Sequence, residues 1–142
     1  MILVDANLLI YSVDTDSYHH ETARRWLEET FSGATSVGLA WIVILAFLRI
    51  TTRADVFHRP LTPERALDYV GTWLSQPYVS AVGAGDHHWA VLSNLLRTSG
   101  TAANLTSDAH LAALAIELGA PIYSTDNDFR RFHGVQHINP LD

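Results

Sequence analysis

Residues 104–128 read NLTSDAHLAALAIELGAPIYSTDND. Leu105 to Leu118 has the spacing of an amphipathic helix, with Leu111, Leu114, Ala115 and Leu118 on its apolar face. Gly119 follows in the C-cap position. Ala120 to Ser124 is then a short β-like run. Such alternation of helix and strand points to a parallel α/β sheet. Asp126 and Asp128 stand just where that strand should end. Two carboxylates that close repel each other. Either water screens them or a cation needs them.

The same alternation extends towards the N-terminus. Met1 to Val4 reads as a first strand ended by Asp5, and Ala6 to Val13 as a short helix. His19 to Phe31 is amphipathic, with Ala23, Trp26, Leu27 and Thr30 at helical spacing, and Gly33 stops it. Ala34 to Val37 is expected to be a second strand and Leu39 to Thr51 an apolar helix. Thr62 is an N-cap with Pro63 at the first helical position, leading a helix to about Ser75. Tyr78 to Val82 is a third strand and Gly85 to Arg97 a further helix. Gln136 to Ile138 adds a short edge strand after the fourth. One domain over residues 1–142 is expected, with no repeat or long linker.

Composition narrows the chemistry. Of 142 residues, 48% are hydrophobic, ample for one core. No run reaches the roughly 18 apolar residues of a membrane helix. The N-terminus lacks the basic region of a signal peptide, and there is no cysteine, so a cytoplasmic protein is expected. All nine cations are arginine and the formal net charge is −6. The absence of lysine excludes a Walker-type phosphate loop and a Schiff base. An acidic chain is also a poor passive binder of nucleic acid, and needs metal ions to handle phosphate.

Four of the ten aspartates differ in context from the rest. Asp5 directly follows Ile2-Leu3-Val4, where it can cap the next helix or serve as a ligand. Asp108 lies in line with the apolar stripe near a helix N-terminus, where a carboxylate is favoured, with Thr106 and Ser107 as competing caps. Asn104, one turn earlier, is placed to orient it. Asp126 and Asp128 fit either an Asx-type turn or a metal site, with Ser124 and Thr125 offering hydroxyls for a bound water. Open parallel sheets bind ligands beyond the carboxyl ends of their strands. Three carboxylates meeting there would suit Mg²⁺ or Mn²⁺.

MILVDANLLIY, the helix ending FLRITT and NLTSDAHLAALAIELGAPIYSTDNDF together resemble the PIN-domain ribonucleases. They are most similar to VapC-type toxins of type II toxin–antitoxin pairs. The resemblance spans nearly the whole chain. It implies a three-layer α/β/α fold with a central parallel sheet of four to five strands. It also implies an acidic pocket holding Mg²⁺ or Mn²⁺, and endoribonuclease activity on tRNA or ribosomal RNA. A homodimer and a VapB-type antitoxin, inserting a helix and an arginine into the pocket, follow from it too. By position, Asp5, Asp108 and Asp126 match the core acids and Asp128 a less constant one. Asn7, Asn104 and Thr125 match supporting polar positions.

One position departs from the pattern. The family's middle helix has a glutamate where this chain has Ala46, in Ala46-Phe47-Leu48-Arg49. A glutamate there would pair with Arg49 at i,i+3. Two explanations stand, an inactivating substitution, which is preferred, and natural divergence. Either way weak or absent cleavage is expected. Arg49, Arg53, Arg59, Arg130 and Arg131 are candidate phosphate contacts. His19-His20 and His87-His88 are expected to face solvent, and the tryptophans to serve the core or a partner. A phosphatase using Asp5 as nucleophile, or a phosphoacceptor receiver domain, lacks the lysine either would need. A non-catalytic module that binds RNA or antitoxin is the alternative that Ala46 keeps open.

Overall fold

A computed structural model describes residues 1–142. Five short strands, β1 (Ile2–Val4), β2 (Val37–Ala40), β3 (Val79–Val82), β4 (Ile122–Tyr123) and β5 (His137–Ile138), form one sheet. All neighbours pair in parallel, in the order β3-β2-β1-β4-β5. Six helices flank it: α1 (Ala6–Val13), α2 (His20–Phe31), α3 (Trp41–Thr51), α4 (Pro63–Leu74), α5 (His88–Ser99) and α6 (Thr106–Leu118). This is the expected α/β/α architecture, with five strands.

Every residue of β1 and β2 is buried. Helices cover both faces of the sheet, so its inner strands read as continuous apolar runs rather than alternating ones. α6 packs closely because it is alanine-rich. Ala109, Ala112, Ala113 and Ala115 are buried along with Leu111 and Leu114. Leu118, expected on the buried stripe, is 42% exposed, because it sits in the last turn before the chain leaves the helix. Gly119 takes the left-handed conformation (φ 62°) that closes the helix, as expected. Thr62 caps α4 by accepting from the Arg65 amide at 3.2 Å, and Pro63 opens the helix. Trp73 belongs to the core, meeting the rings of Phe31, Phe47 and Tyr69.

The second strand lies three residues further on than expected. Val37–Ala40, not Ala34–Val37, pairs with β1. The misreading has two physical causes. Gly38 looks like a strand breaker, yet it sits where the strands pack tightly: a Cβ there would lie 2.7 Å from Leu3 Cδ2, and that side chain would have to shift. The start of α3 also has no side-chain cap to mark it, since its N-cap is Ala40. Leu39 to Leu48 therefore reads as unbroken apolar sequence.

The topology itself prepares a site. From β1 the chain crosses to β2 and β3 on one side, and β4 and β5 lie on the other. The strand order thus reverses between β1 and β4, and a crevice opens beyond their carboxyl ends. Asp5 ends one wall and Ser124 to Asp126 end the other.

Candidate active site

Asp5 is held through both oxygens. Its Oδ1 accepts from the Ala6 amide at 2.8 Å, at the start of α1, and its Oδ2 accepts from Ser124 Oγ at 2.7 Å. The cap and the site position are therefore one arrangement. Burial pushes the Asp5 carboxyl above the usual range, against the opposing pull of the Ser124 and Ala6 hydrogen bonds. Asp126 adds repulsion in the same direction as burial.

Ser124 is the hub. It is fully buried, and besides donating to Asp5 its Oγ accepts from Asn7 Nδ2 at 3.1 Å and from the Asp126 amide at 3.0 Å. One hydroxyl thus fixes residues from β1, α1 and the β4 terminus. Thr125, favoured in the sequence reading, makes no such connection. Ser124 is buried at the end of β4, whereas Thr125 lies one residue further on, in the bend that follows, and is only half-buried.

Asp126 caps the 3₁₀ turn Asn127–Arg131, accepting from the Asp128 amide at 2.9 Å. The Asx-turn reading therefore holds. It does not compete with a site, because Asp108, Asp126 and Asp128 bring one oxygen each within 4.8 Å of one another. Asp108 is the third residue of α6 and does not cap it; the N-cap, Leu105, has no side-chain bond to offer. Burial, then repulsion from Asp126, Asp5 and Asp128, raises the Asp108 carboxyl to about 6. The nearby cation is Arg131, whose Nε lies 3.3 Å from Asp128 Oδ1 on the exposed side of the cluster. Asn7 Oδ1, buried beside Ser124, has no hydrogen-bond partner. A set of hard oxygen donors under mutual repulsion fits a divalent cation such as Mg²⁺ or Mn²⁺.

Ala46 lines the same crevice. A cavity of about 130 Å³ is bounded by Asp5, Ile42, Val43, Ala46, Ser107 and Asp108, among others. The position read as lacking a carboxylate is thus at the wall between Asp5 and Asp108. A larger cavity of about 300 Å³, lined by Ser12, His20, Tyr69 and Trp73 among others, shares none of these residues.

Other expected groups lie apart. Asn104 is in the 3₁₀ turn Ala103–Leu105, exposed, and does not hydrogen-bond Asp108. Arg53 and Arg59 are paired with Asp55 and Asp16, at 2.7 and 3.2 Å, while Arg49 and Arg130 are exposed. His88 does not face solvent. Its Nδ1 is 2.6 Å from Glu117 Oε1 and its Nε2 is 2.9 Å from His110 Nδ1, so it ties α5 to α6. These partners are 29 and 22 residues away in sequence, so local pattern did not show them. His20 is also half-buried, with Nδ1 donating to the Tyr11 carbonyl at 2.9 Å.

The PIN domain family matches residues 2–135. The chain belongs to the PIN-domain family. Within this family it is 47% identical over 140 residues to the ribonuclease VapC37 of Mycobacterium tuberculosis, covering 99% of this chain and 97% of that one. Among solved PIN-domain structures, it resembles VapC20 of Mycobacterium tuberculosis, described as a Sarcin-Ricin loop cleaving toxin. The TM-score is 0.67 at 20% identity, over 96% of this chain and 99% of that one. It also resembles a chain of VapBC2 from Rickettsia felis, solved bound to a DNA fragment from their promoter. There the TM-score is 0.72 at 16% identity, over 98% of each chain. The chain is of the VapC type by sequence, and these structures share its fold.

Proposed function

We propose that this protein is a toxin of a toxin–antitoxin pair, an endoribonuclease that hydrolyses phosphodiester bonds in structured RNA, tRNA or rRNA, with Mg²⁺ or Mn²⁺. The observation that carries this reading is the meeting of Asp108, Asp126 and Asp128 oxygens within 4.8 Å, beside Asp5, at the switch point of the sheet. Asp108, Asp126 and Asp128 would hold the cation, with Asp5 as the fourth carboxylate of the set. The ion, when bound, supplies water activation and charge neutralisation at the scissile phosphate. Asp108 receives no hydrogen bond from the protein, which leaves its oxygens for the ion or for orienting a water. Ser124 sets the distance between Asp5 and the Asp126 backbone. Arg49 and Arg130 are candidates to meet RNA phosphates, being exposed and outside the ion pairs that engage Arg53, Arg59 and Arg131.

Ala46 lowers cation affinity in this reading and weakens cleavage rather than abolishing it, because the three close carboxylates do not include position 46. Total RNA incubated with the protein in Mg²⁺, Mn²⁺ or EDTA, with cleavage ends mapped, tests the activity. Cleavage that needs the ion and fails in Asp126→Asn is expected; cleavage unchanged by EDTA would sink the proposal. Ala46→Glu is expected to raise the rate, and equal rates would remove Ala46 from the account.

Ala46 also favours a second reading, a module that binds RNA or antitoxin without cutting. Cation binding in calorimetry with no cleavage by either protein would select it. A cytoplasmic homodimer and a VapB-type antitoxin belong to the same proposal. The antitoxin would place a helix and an arginine in the acidic crevice, the guanidinium standing in for the cation's charge. Co-purification of the neighbouring gene product with Asp126→Asn protein tests the pairing.

A further inference from the structure

The two buried side-chain polar atoms without a partner are Asn7 Oδ1 and His137 Nδ1. Both belong to residues that hydrogen-bond Ser124. Asn7 reaches its hydroxyl, and His137 on the edge strand β5 reaches its carbonyl, with Nε2 at 2.8 Å. A carbonyl only accepts, so Nε2 donates, and Nδ1 has no partner. A buried polar atom without a partner carries a cost, so packing alone gives little reason for an imidazole here.

The ring has a second contact. It stacks on Phe129, with centroids 6.2 Å apart and planes 27° apart. Phe129 is fully buried and belongs to the 3₁₀ turn that presents Asp128. One imidazole therefore touches both ends of the Ser124–Phe129 loop, which contains Asp126 and Asp128. β5 pairs with β4 through Ile122↔His137 and Tyr123↔Ile138, and the Ser124 amide donates to the Ile138 carbonyl at 3.0 Å. The backbone and the imidazole of β5 hold Ser124 through its N–H and its C=O.

We propose that His137 is a positioning residue for the acidic site: its Nε2–H fixes the Ser124 carbonyl, so that Ser124 Oγ stays between Asp5 and the Asp126 amide while the ring backs the turn bearing Asp128. The inference rests on the cation-site reading above. Partners that orient the groups around a metal typically change its affinity by 10–100-fold, and His137 acts one residue further out, so about three- to tenfold is expected.

The test uses the full chain and Mn²⁺ alone, with free Mn²⁺ read by electron paramagnetic resonance. His137→Phe keeps a ring on Phe129 and removes the donor. His137→Gln supplies an amide donor near the Nε2 position. His137→Phe is expected to weaken Mn²⁺ binding about three- to tenfold and to speed amide exchange at Asp126 relative to Leu3 in β1, with His137→Gln restoring both. Binding and exchange unchanged in His137→Phe would overturn the proposal, and so would His137→Gln matching His137→Phe. Asp126→Asn separates the premise from the inference. If it leaves Mn²⁺ affinity unaltered, the cation site itself is wrong. Asp126 exchange in His137→Phe then decides positioning alone, and unchanged exchange overturns it.

Discussion

A single hydroxyl and a single carboxyl carry most of what is testable at the residue scale. Ser124→Ala removes the donor to Asp5 Oδ2 and the acceptor for Asn7 and the Asp126 amide. Leaving buried groups unpaired costs about 1–3 kcal/mol. A loss of unfolding free energy of that size, read as a lower urea midpoint, is expected together with weaker cation binding; unchanged values would remove Ser124 as the hub. Asp108 gives a pH signature. Its carboxyl ordinarily titrates at 3.8 and is raised to about 6 in the fold, so the folded chain holds this proton more tightly than the unfolded one. The stability it contributes is complete below 3.8 and is lost as pH rises through about 6. Subtracting the Tm of Asp108→Asn from that of the native chain, in EDTA, should give a difference that falls from pH 4 to 6 and then levels. Mg²⁺ should reverse the fall, since a cation favours the charged form. A flat difference would mean that neither burial nor the three neighbouring carboxylates raises the Asp108 carboxyl in the fold. The sequence sets four aspartates apart and offers both Ser124 and Thr125 as hydroxyls, but does not show that Ser124 is the one bonded to Asp5, Asn7 and the Asp126 amide. Those partners lie on β1, α1 and the turn after β4, so only the tertiary fold distinguishes two adjacent hydroxyls.

At the scale of elements, legibility followed local chemistry. α1, α4 and the C-terminus of α6 were readable because Asp5, Thr62-Pro63 and Gly119 mark their ends with specific hydrogen bonds or a left-handed turn. β2 was misplaced because nothing polar separates it from α3, and because Gly38 serves a cross-strand fit that no window of sequence reveals. The roles of His88 and His137 were hidden for a related reason, since their partners lie on other elements. The glycines make the point measurable. Gly38→Ala would set a Cβ 2.7 Å from Leu3 Cδ2 and 3.1 Å from Met1 Sδ. Overpacking of that kind costs about 1–3 kcal/mol. Gly71, inside α4, has nothing within 4 Å of a Cβ. Gly71→Ala should therefore stabilise the chain by about 0.5–1 kcal/mol through helix propensity. Chemical denaturation of both variants checks the pair, and shifts of the same sign would contradict the assigned strand register.

At the scale of the whole molecule, charge and topology have to be reconciled with a polyanionic substrate. The net charge is −6, no lysine is present, and several arginines are already paired with carboxylates. Proteins that hold nucleic acid through a basic surface gain affinity by releasing counterions from phosphates. This chain has few free cations for that, and the switch point of its sheet gathers like charges where the proposed RNA substrate would approach. On the proposed reading attraction comes from the divalent ion, so cation and RNA should bind with positive coupling. A fluorescent 2′-O-methyl oligonucleotide, which resists hydrolysis, separates binding from cleavage. Its affinity by anisotropy should be at least about tenfold higher in Mg²⁺ than in EDTA, a coupling of roughly 1.4 kcal/mol. By reciprocity, saturating oligonucleotide should tighten Mg²⁺ binding by the same factor. Asp126→Asn should abolish the gain in both directions, whereas Arg130→Ala should weaken oligonucleotide binding in Mg²⁺ and EDTA alike and leave the coupling intact. Equal affinity with and without the ion would mean that the arginines alone hold RNA, and that the acidic crevice repels the substrate it was assigned to cut.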